Sequence, residues 1–247
     1  MVDRHRSVDI TDQKNLAGHR PNTTLLIIAP RREPSAEELA AYRGFLNDGN
    51  TIFLADDFGN GNAILAGIGS RIRILKGTIA SLDRSWSDPC SVIVYRTAEE
   101  SPFPLPGEMV LNGAAPLEGG SPLMLTSIMS WTDANGDRRL NLGEEMGTFP
   151  AMATEPVGAG TLIVLSDPSI FINSMYLQEE AGNNRDMIRA LVTRDGPVLI
   201  DQMNSRTAGA GGLSEILHVI RNTVMIEIFL LAVLMLCIAW AWKTKQV

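Results

Sequence analysis

Two polar clusters have the residue types and spacing that chemistry would need. Asp56, Asp57, Asn60 and Asn62 follow one apolar run, Thr51 to Ala55, and Ser166, Asp167, Ser169 and Asn173 follow another, Thr161 to Leu165. Carboxylates and amides grouped in this way offer oxygen ligands to a hard cation and hydrogen-bond partners to a polar ligand. They have a plainer use as well, because Asp and Asn cap helices and tie down turns. If the two runs are neighbouring parallel strands, both clusters face one crevice at the carboxyl ends, where open α/β sheets hold ligands. A carboxylate- or metal-dependent hydrolase or transferase would use Asp57 and Asp167 there. A binding site would use the whole set.

A third set lies between Asp133 and Glu144. Asp133, Asn135, Asp137, Asn141 and Glu144 fall at positions 1, 3, 5, 9 and 12 of a calcium loop, with Arg139 offering its carbonyl at position 7. Such a loop would hold Ca2+ as a structural ion. Position 6, where the sharp turn calls for glycine, is Arg138, and the glycine that is present, Gly136, comes early. The alternative is a polar hairpin turn built on Asn135-Gly136.

Nucleophilic catalysis lacks its parts. His5 and His19 lie in a polar N-terminal stretch, and His218 lies beside a C-terminal apolar segment. Cys90 precedes a strand-like run, whereas an elbow nucleophile follows one, and no Gly-x-Ser-x-Gly is present. Gly59-Asn-Gly61 lacks the third glycine and the acidic residue of a dinucleotide fingerprint.

The elements that must position these residues read as α/β. Thr23 to Ala29, Thr51 to Ala55, Thr161 to Leu165 and Pro197 to Asp201 are short apolar runs of the kind buried on both faces of a parallel sheet. Ser35 to Gly49 reads as a helix, with Ser35 and Glu38 as a capping box, Leu39, Tyr42, Phe45 and Leu46 as its stripe, and Gly49 as its stop. Ala63 to Ile68 is a short helix, Arg71 to Leu75 a strand, and Ala181 to Val192 a further helix. The alternation predicts one mostly parallel, doubly wound sheet. Ser7 to Ile10, Ser91 to Tyr95 and Met109 to Asn112 read as short strands at an edge or in a cap, and Leu123 to Trp131 as one strand.

The chain has 247 residues, 45% of them apolar and 20% charged, which suits one domain with a real core and a small appendage. A net charge of −7 excludes nucleic acid as a natural partner, since that binding rests on basic residues neutralising phosphates. Two cysteines, one of them Cys237 in the apolar segment, imply no disulfide framework. The expected division is a polar tail over 1–22, an α/β domain over 23–201, a linker over 202–212, a juxtamembrane helix over 213–223, a transmembrane helix over 224–242 and a basic tail over 243–247. Val224 to Trp242 is apolar apart from Glu227 and long enough to cross a bilayer. Trp240, Trp242, Lys243 and Lys245 form an interfacial ending that favours a cytoplasmic C-terminus and an external domain. The other readings of this segment are a buried core helix and a helical dimerisation tail. Residues 1–23 contain no apolar run, so neither a signal peptide nor a first membrane helix is expected there.

The chain also resembles a known family through Leu26 to Pro30, Ala55-Asp-Asp-Phe-Gly-Asn-Gly-Asn62, Ser130-Trp-Thr-Asp-Ala-Asn-Gly-Asp137, Gly147-Thr-Phe-Pro150 and Val164-Leu-Ser-Asp-Pro-Ser-Ile-Phe-Ile-Asn173. The family consists of uncharacterised archaeal and bacterial membrane proteins, known only as a domain of unknown function. Its fold is similar to class I glutamine amidotransferases. The resemblance implies a flavodoxin-like or amidotransferase-like α/β domain, tethered to the membrane and without the amidotransferase Cys-His pair. It also implies partners among membrane proteins or MoxR-type ATPases. Family members usually open with a transmembrane helix, a strand and a helix, so the expected gene start lies upstream. Asn183 stands where an Asp is usual. The function expected on this basis is a membrane-anchored, non-enzymatic binding domain or membrane-complex subunit, with the carboxylate enzyme as the alternative.

Overall fold

The computed structural model describes residues 7–19, 21–83, 87–97, 101–172, 183–193 and 196–204. In chain order the strands are Ser7–Ile10 (β1), Thr24–Ile28 (β2), Thr51–Ala55 (β3), Arg73–Ile74 (β4), Thr78–Ser81 (β5), Ser91–Arg96 (β6), Glu108–Asn112 (β7), Leu117–Glu118 (β8), Ser121–Thr126 (β9), Ser130–Asp133 (β10), Met146–Gly147 (β11), Pro150–Val157 (β12), Gly160–Leu165 (β13) and Val198–Asp201 (β14). The α-helices are Ala36–Asn47 (α1), Gly61–Gly67 (α2) and Asn184–Val192 (α3), with 3-10 turns at Gln13–Leu16 and Pro168–Phe171.

Apolar runs with no polar side need cover on both faces, and they gather at the centre of the largest sheet. Its order is β1-β14-β2-β3-β13-β12-β9-β6-β7. The first five strands are mutually parallel, with Thr24 opposite Thr51 and Ala55 opposite Leu165. The other four continue antiparallel. The four runs expected to share a parallel sheet therefore do so. Ser7–Ile10, from the stretch read as a polar tail, adds the outer strand, and Ile10 and Leu16 are buried in the core.

Period-two alternation divides the core into two layers. One face presents Leu25, Ile27, Ile52, Leu54, Leu162 and Val164 to α1 and α2. Helix α1 packs Tyr42, Phe45 and Leu46 there, and both hydrogen bonds of its Ser35–Glu38 capping box are formed. The other face presents Leu26, Phe53, Ala55, Ile163 and Leu165 to residues of β6, β7, β9 and β12, together with Met187, Ile188 and Leu191 of α3. Helices α1 and α2 thus cover one face, while α3 and the sheet's own antiparallel half, which curls over, cover the other. The curl is visible in hydrogen bonds. Strand β7 stands four places from β13, yet the Asn112 amide donates to Asp167 (2.6 Å) and the Ala115 amide to the Ser166 carbonyl (3.1 Å).

Three expectations need correction. Arg71 to Leu75 does not join the parallel sheet; its core, β4, pairs antiparallel with β8 in a two-stranded ribbon. Leu123 to Trp131 is two strands, because the chain turns at Ser127 and carries β10 into a three-stranded sheet ordered β11-β10-β5. Pro150–Val157, not anticipated, is an inner strand whose bulges shift its register against β9. Among the described residues no helix is long and apolar enough to cross a membrane. The expected span, 224–242, and the segments 205–223 and 243–247 lie outside them.

Candidate functional site

Parallel pairing of β3 with β13 puts the two polar clusters side by side, and the Asp56 amide donates to the Leu165 carbonyl (3.0 Å). Asp56 is 2% exposed and its Oδ2 accepts from the Gly61 amide at 2.8 Å. It thereby serves the first turn of α2, whose cap residue, Asn60, makes no side-chain cap bond. The close wrap explains the glycines. A Cβ on Gly59 would stand 2.7 Å from Asp56 Oδ1, and one on Gly61 would stand 2.6 Å from Oδ2. Gly59-Asn-Gly61 thus encloses a carboxylate.

Asp167 is fully buried and caps the 3-10 turn, accepting from the Ser169 amide (2.7 Å) on one oxygen and the Asn112 amide (2.6 Å) on the other. Burial, helped by the Asp57 carboxylate, pushes both Asp56 and Asp167 up to about 6 against the pull of those amides. Asp57, half-buried, accepts from the Phe58 amide (2.8 Å) and is the acid of the cluster closest to solvent.

The amides of the cluster are occupied. Asn62 donates to the Ile74 carbonyl (2.8 Å) and accepts from the Ile74 amide (2.9 Å), so its carboxamide pairs with β4 as a strand would. Asn60 donates to the Pro30 carbonyl (3.3 Å), and the buried Ser166 hydroxyl to the Ala151 carbonyl (3.1 Å). Asn173 lies outside the described residues. Beside the cluster opens a cleft of about 260 Å³, lined by Asp56, Asp57, Phe58, Asn62, Leu75 and Lys76.

The same edge holds a network that the sequence reading missed. The Tyr42 hydroxyl donates to Asp201 (2.6 Å) and accepts from Asn204 Nδ2 (2.8 Å), all three being buried. Burial raises the Asp201 carboxyl as well. The signal was available, since Asp201 ends an apolar strand just as Asp56 and Asp167 follow theirs. The partner, Tyr42, lies 159 residues away and leaves no local trace.

The 133–144 loop is tied to its own backbone. Asp133, 2% exposed, accepts from the Gly136 and Arg138 amides (both 2.8 Å), and Glu144 accepts from Ala134 (3.2 Å) and Asn141 (2.9 Å). Asn135 accepts from the Asp137 amide (3.0 Å), Asp137 from the Arg139 amide (2.9 Å), and Asn141 Nδ2 donates to the Arg139 carbonyl (3.1 Å). Hydrogen bonds from Asn141 and Arg139 hold the Asp137 carboxyl below its ordinary value. Arg138 takes φ +62°, the left-handed turn that the calcium loop assigns to its sixth residue. Among the described residues no group of three or more His, Cys, Asp or Glu is arranged to hold a metal ion.

Fold and site together define an α/β domain with buried acids at the carboxyl ends of its parallel strands. Residues 1–192 match the model of the family described as "Domain of unknown function (DUF4350)", and the chain belongs to that family. No curated protein matches it. Among solved structures, the mmIFT52 N-terminal domain is similar at a TM-score of 0.51 and 15% identity, covering 74% of this chain and 81% of that one. This likeness concerns the fold. A β-galactosidase from Bacillus circulans sp. alkalophilus gives a TM-score of 0.40 at 10% identity, over 68% of this chain but 23% of that one, and carries no further weight.

Proposed function

We propose that this protein is a membrane-anchored, non-enzymatic binding domain that holds a ligand or protein partner at the carboxyl ends of β3 and β13. The observation that carries this reading is the contrast between the acids there. Asp56 and Asp167 are buried and tied to backbone donors, Asp167 on both oxygens, while Asp57 is the half-exposed acid of the cleft it lines with Asp56. A hydrolase or transferase built on Asp57 and Asp167 would need Asp167 to reach substrate, and both of its oxygens are held by amides. The amidotransferase likeness belongs to the same proposal. The residues that follow the parallel strands β14, β2, β3 and β13, namely Gln202, Ala29, Asp56 and Ser166, include no cysteine. The apolar 224–242 segment would anchor the domain on the outer side of the membrane.

The test is crosslinking and affinity capture from native membranes with the full chain and its Asp57→Lys variant. One specific partner retained by the wild type and lost with the variant, at an unchanged melting temperature, is the expected result. Identical capture by both would move the binding site elsewhere, and turnover of a substrate by the purified chain would favour the enzyme.

A second reading has its own observation. The φ of +62° at Arg138 supplies the turn whose glycine is missing, so we propose that the 133–144 loop takes up Ca2+ through Asp133, Asn135, Asp137, Arg139, Asn141 and Glu144. A ligand bound only by the folded state raises stability, by about 2.7 kcal/mol at a hundred times its Kd. Melting in millimolar calcium should therefore exceed melting in chelator by several degrees. Superimposable curves would leave the loop as a turn held by its own amides.

A further inference from the structure

The loops at the carboxyl edge carry more exposed apolar surface than their turn chemistry requires. Phe58, after β3, is 66% exposed; Ile128 and Met129, after β9, are 71% and 41% exposed; Ile172, after the 3-10 turn that follows β13, is 52% exposed. Leu82 joins Met129 through its amide, which donates to the Met129 carbonyl (3.0 Å). Strand β9 is antiparallel to β12, and β12 is antiparallel to β13. Strand β9 therefore ends at the same edge as β3 and β13. With strands about 4.8 Å apart, the Phe58 and Ile128 loops stand about 14 Å from each other along the sheet order β3-β13-β12-β9.

The last described residues lie at this edge. Strand β14 ends at Asp201, and the Asn204 carbonyl accepts from the Arg31 amide (2.7 Å) just past the carboxyl end of β2. Twenty residues after Asn204 the apolar segment 224–242 begins. Twenty residues bridge at most about 70 Å.

We propose that the Phe58, Ile128–Met129 and Ile172 loops dip into the bilayer interface, so that the carboxyl edge faces the lipid. This rests on the membrane-anchored reading above and deepens it, naming the lipid interface as the ligand held at the carboxyl edge. The occupant is argued from the length of the tether, since only about twenty residues separate Asn204, at this edge, from the apolar segment 224–242. Exposed charges on the neighbouring loops are of both signs, Arg31 and Lys76 beside Glu33. Insertion therefore depends on the apolar tips and proceeds on uncharged phosphatidylcholine.

The full chain, with Cys90→Ala and Cys237→Ser, would carry one environment-sensitive fluorophore at Phe58→Cys, Ile128→Cys or, as a control at the opposite edge, Asp48→Cys. Each form would be reconstituted in phosphatidylcholine vesicles and its fold checked by melting. The expected result is a blue-shifted emission that nitroxide lipids quench at positions 58 and 128, and a water-like, unquenched emission at 48. Flotation with the vesicles but water-like emission at 58 and 128 would overturn this proposal alone. A blue shift that nitroxide lipids do not quench would overturn it in favour of a protein partner covering the edge. Failure of the chain to float would overturn the membrane anchor and this proposal together.

Discussion

At the scale of single residues, three parallel strands share one device. Asp56 and Asp167 follow β3 and β13, Asp201 ends β14, and each carboxylate accepts a backbone amide from the turn that comes next. The device gives a pH signature. Asp56 and Asp167 titrate near 6, above the ordinary carboxylate value, so the folded state binds extra protons between pH 4 and 6. Stability contributed by these protons is full below about pH 4 and is lost as pH rises through 6, by about 3 kcal/mol for each group. In Asp167→Asn the side chain cannot titrate, so the variant's deficit against wild type should shrink between pH 4 and 7 in urea unfolding. A deficit that stays constant with pH would mean that Asp167 titrates normally.

At the scale of elements, carboxamides stand in for strands. Asn184, fully buried at the start of α3, donates to the Val110 carbonyl (2.7 Å) and accepts from the Val110 amide (3.0 Å) on the outer edge of β7. Asn184→Ala would leave both backbone groups unpaired in the interior, each worth about 1–3 kcal/mol. We expect a loss of about 3 kcal/mol in denaturant unfolding and faster hydrogen exchange at the Val110 amide; a loss under about 0.5 kcal/mol would show that water replaces the side chain. This scale also marks how far the sequence could be read. Strands β2, β3, β13 and β14 were legible because a strand buried on both faces is an unbroken apolar run. Strand β12 was not, with Pro150 and Pro156 near its ends and Glu155 inside. Its pairing with β9 ends at Thr154 opposite Ser121, so Pro156 lies beyond the neighbour it could not serve, and the buried Glu155 accepts from Ser70 and from the Arg71 amide. Both compensations come from distant residues. The break at Ser127–Met129 was equally hidden, because neither glycine nor proline marks it. At the candidate site, the meeting of the two clusters followed from strand neighbourhood, whereas their saturation by Asn112, Gly61 and Ile74 depended on the curl and the loop wrap.

At the scale of the molecule, the proposed external placement of the domain has a direct measurement. The basic ending Lys243 and Lys245 beside Trp240 and Trp242 favours a cytoplasmic C-terminus. Protease added to intact cells should digest the domain and spare the C-terminal tail. Full protection of the domain would reverse the orientation.

The curl of the large sheet also has a consequence in time. The outer edge of β7, made of residues 108–112, finds its hydrogen-bond partners at Asp167 and Asn184, which leave the ribosome much later. Until those residues emerge, the nascent chain presents an open strand edge of the kind that invites pairing with other chains. Aggregation during synthesis should therefore be worst for chains stalled before residue 167 and should fall once 184 is free to dock. Stability of the finished domain need not predict how safely it is made.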